Sequence, residues 1–218
     1  MEIFNATNLL YIWGGFVKTI EISALSIFFS LIFGTVLALV KSYAPRPFRI
    51  LVSAYIELFR CTPNLLWILF IYFTVQGLDI VISTIAFTLF TSAVMAEIVR
   101  GGLNSIPRGQ FEAAQSQGFG FFATMRYIIL PALSGTLVNS AILAISGSLS
   151  SFALIFAMTG GGPSRVTEII SIYMYNNAFL GRPNFALANA IALITVAISF
   201  LLIMLTKALE KRFGGKEE

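Results

Sequence analysis

Hydrophobic residues in this sequence are gathered into five long runs without a charged residue, and polar residues are concentrated between them. Such runs are typical of helices that cross the hydrocarbon core of a bilayer. A helix satisfies its own backbone hydrogen bonds in lipid, and the short alternating segments of a membrane barrel are absent. We therefore predict an all-α membrane protein with five transmembrane helices. The runs cover residues 22–40, 64–78, 80–96, 130–159 and 185–206.

The first 19 residues contain Glu2 and Lys18 but not the basic start of a cleaved signal, so we expect a retained helix there. An N-terminal extension of the second run into residues 55–63 is left open. We expect residues 1–218 to form a single transmembrane domain.

The composition agrees with a membrane protein and excludes several kinds of site. The chain is 57% hydrophobic and only 11% charged, whereas a soluble domain has about a quarter of its residues charged. Histidine is absent and Cys61 is the one cysteine, which excludes Ser-His-Asp and Cys-His catalysis, internal disulfides and cysteine-based zinc clusters. We therefore expect no catalytic residue and no metal site. We also expect no nucleic-acid binding, because the basic residues flank the apolar runs.

Lysine and arginine are divided unequally between alternate loops, and this predicts the orientation. The segments after the first, third and fifth runs contain 11 of the 14 basic residues, and the opposite side contains Lys18, Arg165 and Arg182. Basic residues are enriched on the cytoplasmic side of membrane proteins. We therefore expect the N-terminus outside and the C-terminus in the cytoplasm.

Small and polar residues within two of the runs predict close packing or a wet pathway. The first run has a stripe of small residues at intervals of four, which lets another helix approach closely. The fourth run is rich in serine and glycine, either as packing contacts or as a pathway face. The stripe is Ser26, Ser30, Gly34 and Ala38, and the fourth run contains Asn139, Ser140, Ser146, Gly147, Ser148, Ser150 and Ser151.

The loop between the third and fourth runs, residues 100–126, is long for a simple connection. Glu112, Ala113 and Ala114 precede Gly118, and this order predicts a short helix that ends at a left-handed glycine. Pro131 is predicted in the first turn of the fourth helix, where no hydrogen bond is lost. The loop thus indicates a compact helix that projects into the cytoplasm and exposes one carboxylate.

The pattern Glu-Ala-Ala-x3-Gly-x9-Ile-x-Leu-Pro from Glu112 to Pro131 resembles the signature loop of membrane subunits in binding-protein-dependent ABC importers. The resemblance implies a type I importer permease whose loop, about residues 100–131, is a coupling helix that binds a separate ATPase. Its implied coupling residues are Gly109, Glu112, Ala113, Ala114, Gly118 and Pro131. Glu112 is either an electrostatic contact to the ATPase or a solvated residue on the helix surface.

Other motifs narrow the resemblance to polar amino-acid permeases. They are Gly15-x3-Thr19-x2-Ile22-Ser23, Glu57-Leu58-Phe59-Arg60-x-Thr62-Pro63, Ala96-Glu97-Ile98-Val99-Arg100-Gly101-Gly102 and Ile106-Pro107-Arg108-Gly109-Gln110. Cys61 stands where that family usually has glycine. Glu57 and Arg60 form either a gate at the inner mouth or a structural ion pair, and Glu97 and Arg100 are expected at the cytoplasmic interface. Substrate-binding residues are not identified.

The C-terminal third departs from the amino-acid pattern. Thr159-Gly160-Gly161-Gly162-Pro163, followed by Thr167 and Tyr173-x-Tyr175-x2-Ala178-Phe179, is more similar to permeases for sugars. It lies outside the membrane, where a solute-binding protein is expected to dock. The alternative cargo is therefore a sugar or another small polar solute. The glycine run is not a phosphate loop, because no Gly-Lys-Ser/Thr follows it.

The resemblance implies a set of partners and a location. We expect two ATP-binding cassette subunits, an extracytoplasmic solute-binding protein, and a second copy of the chain or a related permease, all at a bacterial cytoplasmic (inner) membrane. ATP is expected on the ATPase and no cofactor on this chain. An intramembrane enzyme would need converging acids or a metal cluster, and the sequence contains neither. A self-sufficient channel or carrier usually has intramembrane charges or internal repeats. The apolar runs contain no charged residue, and the sequence shows no internal repeat.

Overall fold

The computed structural model describes residues 4–75, 77–148 and 151–213, and every regular element in these ranges is helical. A π-helical turn, Met125–Ile129, separates α6 from α7, and a 3-10 turn, Pro163–Arg165, lies between α8 and α9. The α-helices are α1 (Ala6–Tyr43), α2 (Arg46–Cys61), α3 (Asn64–Thr74), α4 (Asp79–Ser105), α5 (Arg108–Ser116), α6 (Phe121–Thr124), α7 (Leu130–Ser148), α8 (Phe152–Thr159), α9 (Ile170–Phe179) and α10 (Phe185–Phe213).

Four helical stretches within these ranges are long and apolar enough to cross a membrane. A fifth span results when α2 and α3 are taken together as one broken span. The prediction of an all-α membrane protein with five spans is confirmed in this form. The four unbroken stretches are Ala6–Tyr43, Asp79–Ser105, Phe121–Ile142 and Phe185–Leu202.

Residues 55–63 do not extend the second span as a straight helix. The axes of α2 and α3 differ by 107°, and Thr62 between them has an extended backbone (φ −107°, ψ 142°). Pro63 explains the break, because a proline disfavours the helical conformation of the preceding residue and cannot donate its own backbone hydrogen bond. Cys61 is exposed at the end of α2.

The first helix begins well before residue 22, since α1 starts at Ala6 and includes the charged residues Lys18 and Glu21 ahead of the apolar run. Lys18 Nζ lies 2.8 Å from Glu21 Oε2, one helical turn away. This ion pair lets both charges lie within one long helix. At about 1.5 Å per residue, α1 is about 57 Å long, and it extends beyond a hydrocarbon core of about 30 Å.

The fourth span begins at Phe121, not at residue 130 as the sequence predicted, and Pro131 lies after a widened turn. The Leu130 N–H donates to the Met125 carbonyl, a five-residue step. A proline ring clashes with the carbonyl four residues earlier in a regular helix. The π-helical turn immediately before Pro131 makes room for the ring.

The bundle is built around α4, which packs against α1, α2, α3 and α7. The stripe of small residues on α1 is buried as predicted and allows α1 to approach α4 closely. A Cβ atom added at Gly34 would lie 2.6 Å from Met95 Cβ and 2.9 Å from the Ser92 carbonyl oxygen. A glycine is therefore required where α1 crosses α4.

The two ends of the bundle have separate cores. At the end that we call the α5 end, where α4 ends and α7 begins, the buried residues are Ala38, Val99, Leu103, Ile106, Ile129 and Leu133, with Phe111 of α5 packed against them. At the opposite end, where α8 ends, α1 packs against α9 and α10 through Ile12, Ile170, Tyr173, Leu187 and Ile191.

Candidate functional site

The short helix α5 ends in a fully hydrogen-bonded glycine cap. The Gly118 N–H donates to the Gln115 carbonyl and the Phe119 N–H donates to the Ala114 carbonyl, each at 2.9 Å. Gly118 has a φ of +76°, and this combination closes a helix in the Schellman arrangement. The prediction that this helix ends at a left-handed glycine is confirmed.

One face of α5 is exposed and the other is fixed to the body of the protein. Gly109, Glu112 and Ala113 are exposed, whereas Ala114 is 3% exposed. Because successive helix positions differ by about 100°, the two adjacent alanines face different surroundings. Ala113 therefore faces outward, whereas Ala114 packs against the body of the protein. Pro131 belongs to α7, and the coupling role of these residues stays a prediction.

A cluster of four charged residues, which we call the Glu97 cluster, joins α1, α2 and α4 near the α5 end. Lys41 Nζ lies 2.7 Å from Glu97 Oε1, and Arg100 Nη2 lies 2.7 Å from Glu97 Oε2. Arg60 Nη1 lies 3.9 Å from Glu97 Oε2. The Glu97 side chain is 15% exposed, so one partly buried carboxylate balances three cations from three helices.

The ion pair between Glu57 and Arg60 suggested by the sequence is wrong. Both residues are exposed on α2, and in the described part of the chain the only carboxylate paired with Arg60 is that of Glu97. Arg60 reaches it because α2 crosses α4 at this level, where the Tyr55 hydroxyl contacts Ser92 Oγ at 2.9 Å. The gating alternative for Glu57 and Arg60 stays a prediction.

A partly open cavity of about 430 Å³ lies between five helices, α1, α3, α4, α7 and α8. Such a volume is within the range of small-molecule sites. Polar groups on its wall belong to Ser23, Ser26, Asn64, Thr91 and Ser151, and the remaining lining residues are apolar or glycine. The apolar and glycine residues are Ile22, Ile27, Phe87, Phe90, Val94, Met95, Ile98, Ala144, Gly147 and Leu154.

The two interpretations of the fourth run each apply to different residues. Ser140 is fully buried and its hydroxyl donates to the Thr136 carbonyl at 2.7 Å, which is a packing role. Gly147 and Ser151 line the cavity, as a pathway face would. The side chains of Ser146 and Ser148, and the whole of Ser150, lie outside the described residues.

The glycine-rich loop at the opposite end is compact and contains strained positions. Gly160, Gly161 and Gly162 all have positive φ, and so do Ser164 (53°) and Arg165 (64°). The Arg165 guanidinium carbon lies 3.9 Å from the centre of the Tyr11 ring, and Arg165 Nε lies 2.6 Å from Glu168 Oε2. The loop is thereby fixed to the start of α1 by a cation–π contact.

The amino-acid pattern of one protein family, the binding-protein-dependent transport system inner membrane component, matches residues 30–215. The chain belongs to this family. It is therefore a permease subunit of a binding-protein-dependent ABC transporter, with several helices in the inner membrane. The family match includes the whole region from Glu112 to Pro131 and agrees with the resemblance in the sequence.

Similar permeases are known under names that specify a cargo. A glutamine transport system permease, GlnP, of Rickettsia felis is 29% identical over 211 residues, which are 94% of each chain. A glutamine ABC transporter permease, GlnP, of Bacillus subtilis is 34% identical over 134 residues, 59% of this chain and 61% of that one. The glutamate/aspartate import permease GltK of Escherichia coli is 30% identical over 137 residues, 57% and 61%.

Solved structures have the same fold over nearly the whole permease. An amino acid ABC transporter, solved with histidines, aligns with a TM-score of 0.71 and 25% identity, covering 97% of this chain and all of that chain. The inward-facing MetNI methionine ABC transporter aligns with a TM-score of 0.78 and 20% identity, covering 96% and 99%. The fold is thus that of type I ABC importer permeases.

Proposed function

We propose that this chain is the translocation subunit of an ATP-driven importer for a polar amino acid, and that a separate partner binds and hydrolyses the ATP. The observation that carries the proposal is the attachment of α5, whose Phe111 packs against the core shared by α1, α4 and α7. The same three helices line the cavity. A partner that moves the exposed face of α5 therefore moves the cavity walls.

The α5 end is the cytoplasmic end in this proposal. The loops assigned to it contain 11 of the 14 basic residues, as expected for cytoplasmic loops. Two ATP-binding cassette subunits bind there, each to one copy of α5 and its residues Gly109, Glu112, Ala113 and Gly118. The solute-binding protein docks on the glycine-rich loop at the opposite end, and a second copy or a related permease completes the walls of the path.

An amino-acid cargo is favoured over a sugar by similarity along the whole chain. The relatives that align at 28–34% identity are named for glutamine or for glutamate and aspartate. The importer of the polysaccharide alginate aligns at only 15% identity, which supports the fold alone. The sugar-like features of the C-terminal third are confined to the loop after α8 and to α9.

Uptake by reconstituted vesicles tests the proposal. The permease is reconstituted with its ATPase and solute-binding protein, and labelled glutamine, glutamate and maltose are offered with and without ATP. We expect ATP-dependent accumulation of an amino acid and none of maltose. Accumulation of maltose and of neither amino acid would show that the cargo is a sugar. Transport by this chain alone without ATP would contradict the importer function.

A further inference from the structure

The helix α2 lies across the bundle, and its two sides reach different levels of α4. Its axis makes an angle of 107° with that of α3. The Tyr55 hydroxyl donates to the Leu89 carbonyl at 2.8 Å, whereas Arg60 Nη1 lies 3.9 Å from Glu97 Oε2. Since α4 ends at Ser105, the Tyr55 side of α2 faces the middle of the bundle and the Arg60 side faces the α5 end.

The length of α3 places α2 close to a boundary of the membrane. The 11 residues of α3 rise about 16 Å, which is about half of a hydrocarbon core of about 30 Å. A helix that lies crosswise adds its own width of about 10 Å. The two helices together therefore nearly cross the core, and α2 lies near the membrane boundary at the α5 end.

The outer surface of α2 exposes large apolar side chains. Ile56 and Phe59 bury the inner side of the helix, with 1% and 7% exposure. Phe48, Leu51 and Leu58 are instead 57%, 68% and 49% exposed. Exposed aromatic and leucine side chains next to a basic face are typical of helices that lie in the membrane interface.

A shallow groove of about 370 Å³, which we call the α2 groove, follows the polar side of the same helix. Its polar residues recur at intervals of three or four and therefore share one face. Arg46 and Arg49 are exposed, and in the part of the chain that the structure describes neither is paired with a carboxylate. The lining residues are Arg46, Arg49, Ile50, Ser53, Ala54 and Glu57.

The surroundings of the α2 groove favour an anionic lipid over a protein. The Glu97 cluster, which includes Arg60 of α2, contains three cations and one carboxylate, so this region is positively charged. A water-soluble partner such as the ATPase could pair with the arginines but offers no apolar medium for Leu51 and Leu58. A phospholipid has an anionic phosphate and apolar chains on one molecule, and it matches both sides of the helix.

We propose that the α2 groove binds the phosphate of an anionic phospholipid through Arg46 and Arg49. The acyl chains of the lipid cover the exposed apolar residues Phe48, Leu51 and Leu58. A guanidinium group binds phosphate through two parallel hydrogen bonds, and basic clusters beside a membrane attract anionic lipids. This inference adds a lipid partner to the permease and does not depend on the identity of the cargo.

Displacement of labelled phosphatidylglycerol from the permease–ATPase complex in detergent tests the site. The competitors are unlabelled phosphatidylglycerol, phosphatidylcholine with the same chains, and glycerol phosphate, which has the anionic group without chains. We expect phosphatidylcholine to displace the probe at least about tenfold more weakly than phosphatidylglycerol, and glycerol phosphate not to displace it. Equal displacement by the two lipids would overturn the site. Displacement by glycerol phosphate at the concentration of phosphatidylglycerol would show a site for free phosphate esters and would overturn the lipid assignment.

A double variant locates the site on α2. Arg46→Gln/Arg49→Gln is expected to weaken binding of phosphatidylglycerol about tenfold and to leave binding of phosphatidylcholine unchanged. Arg108→Gln/Arg182→Gln is the matched control, because it removes the same charge from two exposed residues outside α2. Gel filtration establishes that both variants are folded. Equal affinity of the two double variants for phosphatidylglycerol would overturn the role of α2.

Two further readouts separate the lipid from other partners of α2. Glu57→Gln removes the carboxylate from the α2 groove, so we expect it to strengthen binding of phosphatidylglycerol by up to about fivefold. Weaker binding by this variant would contradict an anionic ligand. Loss of the ATPase from Arg46→Gln/Arg49→Gln during purification, with unchanged affinity for phosphatidylglycerol, would show that the groove binds the ATPase and would overturn the lipid site.

Discussion

Lys41 Nζ lies 2.7 Å from Glu97 Oε1 and thereby joins the end of α1 to α4 across 56 positions of sequence. The same carboxylate accepts hydrogen bonds from Arg100 at 2.7 and 3.0 Å, and the Arg60 guanidinium lies 3.9 Å away. The side chain of Glu97 therefore joins three helices, α1, α2 and α4, and α1 and α4 also line the cavity. The Glu97 cluster thus fixes how α1, α2 and α4 lie relative to one another near the α5 end.

Glu97→Gln is expected to destabilise the permease by about 2 kcal/mol or more, because three cations lose their shared, partly buried counter-charge. Thermal unfolding of the purified complex measures the loss. Glu21→Gln is the control, since its half-exposed pair with Lys18 within one helix contributes less than about 1 kcal/mol. Equal unfolding temperatures for the two variants would show that the Glu97 cluster stabilises the permease no more than the Lys18–Glu21 pair does.

Gly34→Ala is expected to force α1 away from α4. The new methyl group would lie 2.6 Å from Met95 Cβ, and such overpacking costs about 1–3 kcal/mol. Gly14→Ala, on the same helix, has no atom within 4 Å of the new methyl group and is expected to be neutral or stabilising. Chemical unfolding of the two variants in detergent compares them, and an unchanged Gly34→Ala protein would contradict the close crossing.

Gly118→Ala is expected to loosen the end of α5, because a left-handed backbone costs an alanine about 1–2 kcal/mol. We expect weaker association with the ATPase, measured by co-purification, at unchanged folding of the spans. Gly120→Ala is the control, since Gly120 has an ordinary φ of −75° and no atom within 4 Å of an added Cβ. Equal retention of the ATPase by both variants would show that the glycine cap of α5 is not needed for binding the ATPase.

Ser164→Gly and Arg165→Gly are expected to change the unfolding temperature differently, although both remove the strain of a residue with positive φ. Glycine adopts this backbone without strain, so Ser164→Gly raises the unfolding temperature slightly. Arg165→Gly also removes the contact with Tyr11 and the ion pair with Glu168, so its gain is lost or reversed. Thermal unfolding of both variants measures the difference, and equal shifts would mean that the Arg165 contacts contribute nothing.

Features set by local spacing could be predicted from the sequence, and features set by distant contacts could not. The small stripe that ends at Ala38 and the cap at Gly118 depend on residues within one element, and both were correctly predicted. The start of α1 was missed because Lys18 and Glu21 neutralise each other only once the helix has formed. The bend at Pro63 had a local signal, but its direction depends on packing against α4.

The cavity and the Glu97 cluster required the fold. Ser26, Asn64 and Ser151 are separated by 38 and 87 positions in sequence, and no periodic pattern links them. A pair between Arg60 and Glu57 was one of two alternatives, because the two residues are three positions apart on one helix. The crossing of α2 and α4 brings Arg60 to Glu97 instead.

Glu112→Lys tests the central claim most directly, in vesicles that contain the permease, its ATPase and its solute-binding protein. Glu112 is exposed on α5, and the charge reversal leaves the packed face of the helix unchanged. Asn104→Lys is the control, because it adds a positive charge at the same end of the bundle but outside α5. We predict that ATP-dependent amino-acid uptake is lost in Glu112→Lys, with release of the ATPase, and is retained in Asn104→Lys. Uptake by the Glu112→Lys protein at the rate of the parent would contradict the assignment of α5 as the coupling helix.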